Sequence, residues 1–191
     1  MNKSRTLIAC RKYLVLFMVT TLLPVIPVAA IEKDFPEAKI KAAYLFNFLR
    51  FVEWPPDHVT DAHICVVGHK KEYGEAFRSL RNQSLNNQAI IIREMNDVDN
   101  PRVLQNCQII FVTSTASHRQ KMLFNTLKDA DALTVGESSD FANHGGMINF
   151  IDKDSKISFE VNLDAVNRSG LRITSKILRI ADRVISGNQH E

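Results

Sequence analysis

The chain has 191 residues, of which 45% are hydrophobic and 24% are charged, and it carries a formal net charge of +3. Four of its 24 basic residues and none of its 21 acidic residues lie in the first thirty positions, so the rest of the chain has a net charge of −1. A weakly acidic chain without a concentrated basic region argues against nucleic-acid binding, which depends on neutralising phosphates.

The first thirty residues have the layout of a secretory signal peptide. Basic residues precede an apolar run over positions 13–28, which closes on the small residues Val28-Ala-Ala30. A membrane anchor is the alternative, but the run is short for one and is interrupted by Pro24 and Pro27. We expect cleavage after Ala30, which leaves residues 31–191 as one soluble, exported domain.

An aromatic segment follows, with five of the fifteen aromatic residues of the chain between Tyr44 and Trp54. Its spacing predicts a helix that Pro55 and Pro56 must end. One side is predicted to pack on the sheet: Ile40, Tyr44, Phe48 and Phe51. The opposite side is also apolar, so it either belongs to the core or serves as a candidate partner surface: Leu45, Phe46, Leu49 and Val52.

The remaining segments alternate between strand and helix patterns. Strands are predicted at 62–68, 89–93, 108–113 and 132–136, and helices at 72–80 and 117–128. Two further strands, 146–151 and 156–163, flank a polar turn, and a final helix covers roughly Thr174–Ile185. We therefore predict an α/β fold: a mostly parallel sheet with flanking helices, plus an antiparallel hairpin near the C-terminal end.

Two cysteines, Cys65 and Cys107, remain after the signal peptide and its Cys10 are removed. An even number in an oxidising compartment favours a disulfide. Cys65 lies in the first predicted strand and Cys107 at the entrance to the third, which can be neighbours in a doubly wound sheet. Two buried free thiols are the alternative.

The candidate catalytic and metal residues do not form a known constellation. Ser138 and His144 lie close together in the sequence, but the Gly-x-Ser-x-Gly elbow of a hydrolase is missing. His63 and His69 lack an evident third metal ligand. Gly145-Gly146 either lets a backbone approach a ligand or simply makes a turn. We predict no catalytic residues, no metal site and no cofactor.

Basic residues recur at a helical spacing near the C-terminal end of the chain. This spacing favours a solvated face, with contact to an acidic partner or to lipid head groups as the alternative. We include the four residues in the candidate partner surface: Arg172, Lys176, Arg179 and Arg183.

Three blocks of this sequence resemble the YfiR family of periplasmic proteins. The first is the aromatic segment from Lys41 to Pro55, and the second is Leu133-Thr-Val-Gly-Glu-Ser138 with Phe141 and Gly145-Gly-Met-Ile-Asn-Phe150. The third is Phe159-Glu-Val-Asn-Leu163 with Ser169-Gly-Leu-Arg-Ile-Thr-Ser-Lys-Ile-Leu178. The blocks occur in order and cover nearly all of the chain after the signal peptide.

The resemblance implies a periplasmic regulator that represses an inner-membrane diguanylate cyclase of the YfiN type and so limits cyclic di-GMP and biofilm formation. An outer-membrane lipoprotein of the YfiB type would sequester it, and it can form a homodimer. The second cysteine pair of some family members is missing here, so Cys65 and Cys107 would be the structural pair. A periplasmic small-molecule binding or sensing domain is the alternative function, and an enzyme is the third class.

Overall fold

The structure is a computed structural model that describes residues 35–55, 61–69, 71–96, 101–127 and 131–187. The predicted signal peptide lies outside these residues. The helices of the described part are α1 (Phe35–Phe51), α2 (Lys71–Arg81), α3 (Gln120–Thr126), α4 (Leu163–Arg168) and α5 (Ser175–Ile180), with 3-10 helices at Pro101–Leu104 and Ser114–Arg119.

The strands of the described part form a large sheet of eight strands and a small sheet of two. Their bounds are β1 (Val52–Glu53), β2 (Ala62–Val67), β3 (Ser84–Leu85), β4 (Gln88–Met95), β5 (Ile109–Val112), β6 (Leu133–Gly136), β7 (Ile148–Lys153), β8 (Lys156–Asn162), β9 (Arg172–Ile173) and β10 (Arg183–Ile185). The large sheet has the order β10-β8-β7-β6-β5-β2-β4-β3, and β1 pairs with β9.

Five neighbouring strands of the large sheet, β4-β2-β5-β6-β7, run parallel. All four residues of β5 and of β6 are buried, as expected of central strands covered on both faces. The strand order reverses between β2 and β5, which is the switch point of a doubly wound fold. The predicted fold class is confirmed, including the antiparallel β7–β8 hairpin.

Two-residue turns with left-handed backbone close the two hairpins of the large sheet. Asp154 and Ser155, between β7 and β8, have φ values of 51° and 60°. Asn86 and Asn87, between β3 and β4, have φ values of 51° and 67°. Positive φ at both central residues gives the turn whose twist matches that of the strands. The second hairpin was not predicted, because β3 has only two residues.

The core divides into two apolar layers, one on each face of the large sheet. The first contains α1 and α2, with Phe48 packed edge-on against Phe159 of β8 at 5.2 Å between ring centroids. The second lies under α3 and contains Cys65, Cys107 and Phe141. Helices on both faces explain why the parallel strands are continuously apolar.

The faces of α1 agree with the prediction in part: Tyr44 and Phe48 pack on Phe159 of the sheet as predicted, each at 5.2 Å between ring centroids. Leu45 and Leu49 are 0% and 2% exposed and Val52 is 5% exposed, so these residues belong to the core of this chain. Ile40, which was predicted to pack on the sheet, is 42% exposed. The buried stripe follows a helical period when the small residues and one lysine are included: Ala38, Lys41, Ala42, Leu45, Phe48, Leu49 and Val52. Small residues and a lysine do not stand out when only large apolar side chains are projected.

The prediction of one C-terminal helix over Thr174–Ile185 is wrong beyond Ile180. Ala181 is extended, with φ −66° and ψ 141°, and the chain then enters β10, which pairs in parallel with β8. The Asp182 amide donates to the Phe159 carbonyl at 2.8 Å. The basic residues have helical spacing, but beyond Ile180 the chain forms a strand because it can pair with the open edge of the large sheet.

Candidate functional site

A buried polar cluster lies at the carboxyl edge of the parallel strands. Glu137 follows β6 directly, and its side chain is only 2% exposed. Its Oε2 accepts hydrogen bonds from Lys41 Nζ of α1 at 2.7 Å and from the Tyr73 hydroxyl of α2. Its Oε1 accepts from the Ser114 amide at 2.8 Å, just beyond β5. One carboxylate therefore joins two helices to the ends of two strands.

The ammonium group of Lys41 is held between two carboxylates of unequal exposure. The Glu137 side chain is buried, whereas the Glu37 side chain, which also pairs with Lys41, is 59% exposed. Burial alone would lower the pKa of Lys41, but the charge of Glu137 and hydrogen bonds with Glu137 and Glu37 raise it above its ordinary value of 10.5. Lys41 is therefore charged at neutral pH, and the cluster contains a true ion pair.

Side chains of this chain hydrogen-bond to one another near the switch point, where ligands bind in many doubly wound folds. The Thr113 and Thr115 hydroxyls, which follow β5, lie 2.8 Å apart. The Thr115 hydroxyl also accepts from the His69 amide beyond β2, at 3.1 Å. Together with the Glu137 cluster, these contacts give the carboxyl edge an internal structural role.

The polar cluster was not predicted, although it joins two of the blocks that carry the family resemblance. Lys41 begins the aromatic block, and Glu137 lies in the second block. Two signals in the sequence could have indicated it. Lys41 follows Glu37 by one helical turn within an apolar stripe, and Glu137 comes directly after a buried strand, at the edge where polar residues of parallel strands meet.

The Phe141 ring explains the second glycine of the Gly145-Gly146 pair. A Cβ atom at Gly146 would lie 2.1 Å from the Phe141 ring, and one at Gly136 would lie 2.3 Å from it. Phe141 is fully buried. Glycine is therefore needed at position 146, because the Phe141 ring lies against its backbone. A Cβ atom at Gly145 would be 3.9 Å from the Phe124 ring, so the contact with Phe141 does not explain this glycine.

The predicted disulfide between Cys65 and Cys107 is present in the structure, with 5.8 Å between the Cα atoms. Both residues are fully buried. The bond connects β2 to the segment that enters β5, its neighbour in the sheet. It therefore fixes the strands at the switch point of the fold.

The four basic residues of the predicted partner surface lie in three elements. Arg172 is in β9, and Arg183 is in β10, where it pairs with Glu160 at 2.8 Å. This pair raises the pKa of Arg183 through a hydrogen bond and the charge of Glu160. Lys176 and Arg179 remain together as exposed residues on α5.

A patch of basic and apolar residues lies at the end of α1 and on α5. Lys176 Nζ lies 4.9 Å from the centroid of the Phe51 ring, and the guanidinium of Arg50 lies 5.4 Å from it. Ile180, at the end of α5, is 56% exposed. We call this patch the α1–α5 surface, and its residues are Arg50, Phe51, Lys176, Arg179 and Ile180. Of the four apolar candidates on α1 and β1, Phe46 alone is half-buried instead of buried.

Of the residues considered for catalysis or metal binding, Ser138 and His144 lie in the segment between β6 and β7, whereas His63 lies in β2 and His69 just beyond it. The Ser138 hydroxyl contacts the Gln120 amide group, and His144 is exposed in the segment before β7. The pKa of His63 is lowered by burial and by the charge of Arg93. Within the described residues, no group of three His, Cys, Asp or Glu side chains has the arrangement of a metal site. None of the described helices combines the length and apolarity that a membrane crossing requires.

Two solved structures share this fold. A conserved domain protein from Vibrio cholerae O1 biovar eltor has 11% identity and a TM-score of 0.55. An ABC domain in complex with L-Trp from Streptococcus pneumonia has 9% identity and a TM-score of 0.56. Each match covers 78% of this chain and 60% of the other, so the chain spans less than two thirds of their length. At such identities the similarity is one of fold.

The sequence profile of the YfiR/HmsC-like family matches residues 38–182, which include most of α1, the Glu137 cluster, the disulfide and all of β8 to α5. The match covers all three blocks on which the resemblance was based, up to and including Leu178. The family consists of periplasmic regulatory proteins of cyclic di-GMP signalling. The chain therefore belongs to the YfiR/HmsC-like family.

Proposed function

We propose that this protein binds the periplasmic portion of an inner-membrane diguanylate cyclase of the YfiN type and represses it, which limits cyclic di-GMP and biofilm formation. The family match over residues 38–182 carries this proposal. Glu137, Thr113 and Thr115 at the carboxyl edge hydrogen-bond to other residues of the chain, which supports a structural role for this edge. Export depends on a signal peptide that is cleaved after Ala30.

The α1–α5 surface is the proposed docking site for the cyclase. Two of its cationic side chains, Arg50 and Lys176, lie over the half-buried Phe51 ring, and α5 also carries Arg179 and the exposed Ile180. Aromatic and arginine side chains are enriched at the centres of protein interfaces. The charge complementarity required at an interface predicts an acidic segment with an apolar side chain on the cyclase.

Two further associations belong to the proposal. An outer-membrane lipoprotein of the YfiB type sequesters the protein and thereby releases the cyclase. The protein also forms a homodimer. The buried side chains Leu45, Leu49 and Val52 cannot supply these contacts directly, so Phe46 and the α1–α5 surface are the proposed contact residues.

Deletion of the gene tests the repressor function. We expect the deletion to raise cellular cyclic di-GMP, and we expect no rise in a strain that also lacks the partner cyclase. A flat level, or an equal rise without the cyclase, would contradict repression.

Charge reversal tests the docking site. Complementation with Lys176→Glu/Arg179→Glu should leave cyclic di-GMP high, because both changes repel an acidic partner. The control Arg78→Glu/Lys121→Glu reverses two exposed charges on α2 and α3, and it should restore repression as the wild type does. Equal repression by both double variants would exclude the α1–α5 surface as the docking site.

A further inference from the structure

A cavity of about 530 Å³ lies between α3, the segment that precedes β7, and α4. Thr134 and Met147 place it near the amino ends of β6 and β7, whereas the Glu137 cluster lies beyond the carboxyl end of β6. Ligand-binding cavities in proteins typically have volumes of about 300 to 1,000 Å³. The cavity is thus large enough for a small molecule and separate from the polar cluster.

The lining of the cavity has an apolar part and a polar part. The apolar part consists of Phe124, Leu127, Met147 and Ala165. The polar part consists of Asn125, Thr134, His144, Gly145, Arg168 and Ser169. Met147 and Ala165 are 7% and 4% exposed, which places apolar atoms at the base, whereas Asn125, His144 and Arg168 are exposed at the rim. Such a division fits a ligand with one apolar and one polar end.

The charge of the lining favours an anion. None of the described residues that line the cavity is an aspartate or a glutamate. Arg168 carries a permanent positive charge, and within the described residues it makes no ion pair. His144 adds a second group that can donate to an anion. A planar guanidinium is well suited to a carboxylate, which it can bind through two parallel hydrogen bonds.

Gly145 opens the rim of the cavity between these two parts. Its φ of +110° is in the region that favours glycine, and the nearest atom to a Cβ added there would be on the Phe124 ring, at 3.9 Å. The backbone at Gly145 is therefore accessible from the cavity, unlike the backbone at Gly146, which Phe141 covers.

We propose that this cavity binds a small amphipathic carboxylate, with its carboxylate at Arg168 and His144 and its apolar part against Phe124 and Met147. This site is distinct from the α1–α5 surface and does not depend on repression of a cyclase.

Isothermal titration calorimetry with three matched probes tests the proposal: 4-phenylbutyrate, 4-phenylbutanol and 4-phenylbutylamine. They share an apolar part and differ in the charge of the polar end. We expect saturable binding of 4-phenylbutyrate and binding weaker by about tenfold or more for the other two, since each factor of ten corresponds to about 1.4 kcal/mol. Inorganic phosphate, which lacks the apolar part, should also bind more weakly. In ¹H–¹⁵N spectra, the shifts caused by 4-phenylbutyrate should centre on Gly145 and Phe124.

Two variants test whether the positive charge of Arg168 binds the carboxylate of the probe. Arg168→Gln should weaken 4-phenylbutyrate binding by about tenfold or more, and Arg78→Gln, which changes an exposed arginine on α2, should not. If Arg168→Gln does not fold, Asn125→Asp provides the test, because it adds a negative charge at the exposed rim and should also weaken binding. The proposal is overturned if no probe binds saturably, if the amine or phosphate binds as tightly as the carboxylate, if the shifts centre elsewhere, or if the folded variants bind like the wild type.

Discussion

Removal of one partner of the Lys41–Glu137 pair should destabilise the protein strongly. Lys41→Met keeps the length of the side chain but removes the cation that pairs with the Glu137 carboxylate, whose side chain is 2% exposed. Loss of one partner of a buried ion pair typically costs about 3 to 5 kcal/mol. The Tyr73 hydroxyl and the Ser114 amide would still donate to Glu137, so we expect a loss near the lower end, about 3 kcal/mol.

The measurement is urea-induced unfolding followed by the fluorescence of Trp54, the only tryptophan of the chain. Trp54 reports on the end of α1, where its indole donates to the Leu49 carbonyl at 3.0 Å. Glu137→Gln should cost about as much as Lys41→Met, and the double variant should cost less than the sum. We expect a coupling free energy of about 2 kcal/mol, within the range for residues in direct contact.

Glu37→Gln is the matched control, because it changes the other carboxylate of the same ammonium group. The Glu37 side chain is 59% exposed, so its loss should cost no more than about 1 kcal/mol. Additive effects of Lys41→Met and Glu137→Gln, within about 0.5 kcal/mol, would refute the assignment of this pair as a coupled buried unit.

The pH dependence of the same unfolding follows from the raised pKa of Lys41. A group whose pKa is raised in the folded state stabilises that state below its unfolded pKa and loses this effect as the pH rises through its folded pKa. The stability difference between the wild type and Lys41→Met should therefore be constant near neutral pH and should shrink above pH 10.5. A difference that stayed constant through the alkaline range would contradict an ionic role for Lys41.

The remaining predictions concern the disulfide, the core face of α1 and a close approach of the backbone. Cys65→Ala/Cys107→Ala should lower the free energy of unfolding by about 4 kcal/mol, because the bond closes a loop of 42 residues, and a reducing agent should not destabilise this variant further. Leu45→Glu should abolish folding, since Leu45 is 0% exposed, and a folded variant by circular dichroism would contradict its place in the core. Gly146→Ala should lower the thermal midpoint, whereas Gly74→Ala, with no atom within 4 Å of the new Cβ, should not. Equal midpoints for these two glycine variants would argue against the contact at the aromatic ring.

The parallel sheet could be predicted from the sequence because its signals are local. The strands β5 and β6 are short apolar runs, and the turn at Asp154 and Ser155 carries residues suited to a tight hairpin. Gly136 and Gly146 were harder to interpret. Their requirement arises from Phe141, which approaches them only after the chain has folded.

The orientation of α1 could not be predicted correctly from large apolar residues alone. Both of its sides carry such residues. The buried side also contains Ala38 and Ala42, whose small side chains allow close packing. It contains Lys41 as well, whose partner Glu137 is almost a hundred positions away in the sequence. The C-terminal strand β10 was missed for a similar reason. It pairs with β8, and that strand has an edge available for pairing only after the large sheet has formed.

The central claim is that this protein represses a membrane diguanylate cyclase through direct contact, and the rate of that enzyme tests it most directly. The measurement is the conversion of GTP to cyclic di-GMP by the purified full-length cyclase in lipid nanodiscs, where its periplasmic portion is accessible to added protein. We predict that the wild type and Arg78→Glu/Lys121→Glu lower the rate in a saturable manner, whereas Lys176→Glu/Arg179→Glu does not. An unchanged rate at a saturating concentration of the wild-type protein would contradict the proposed function.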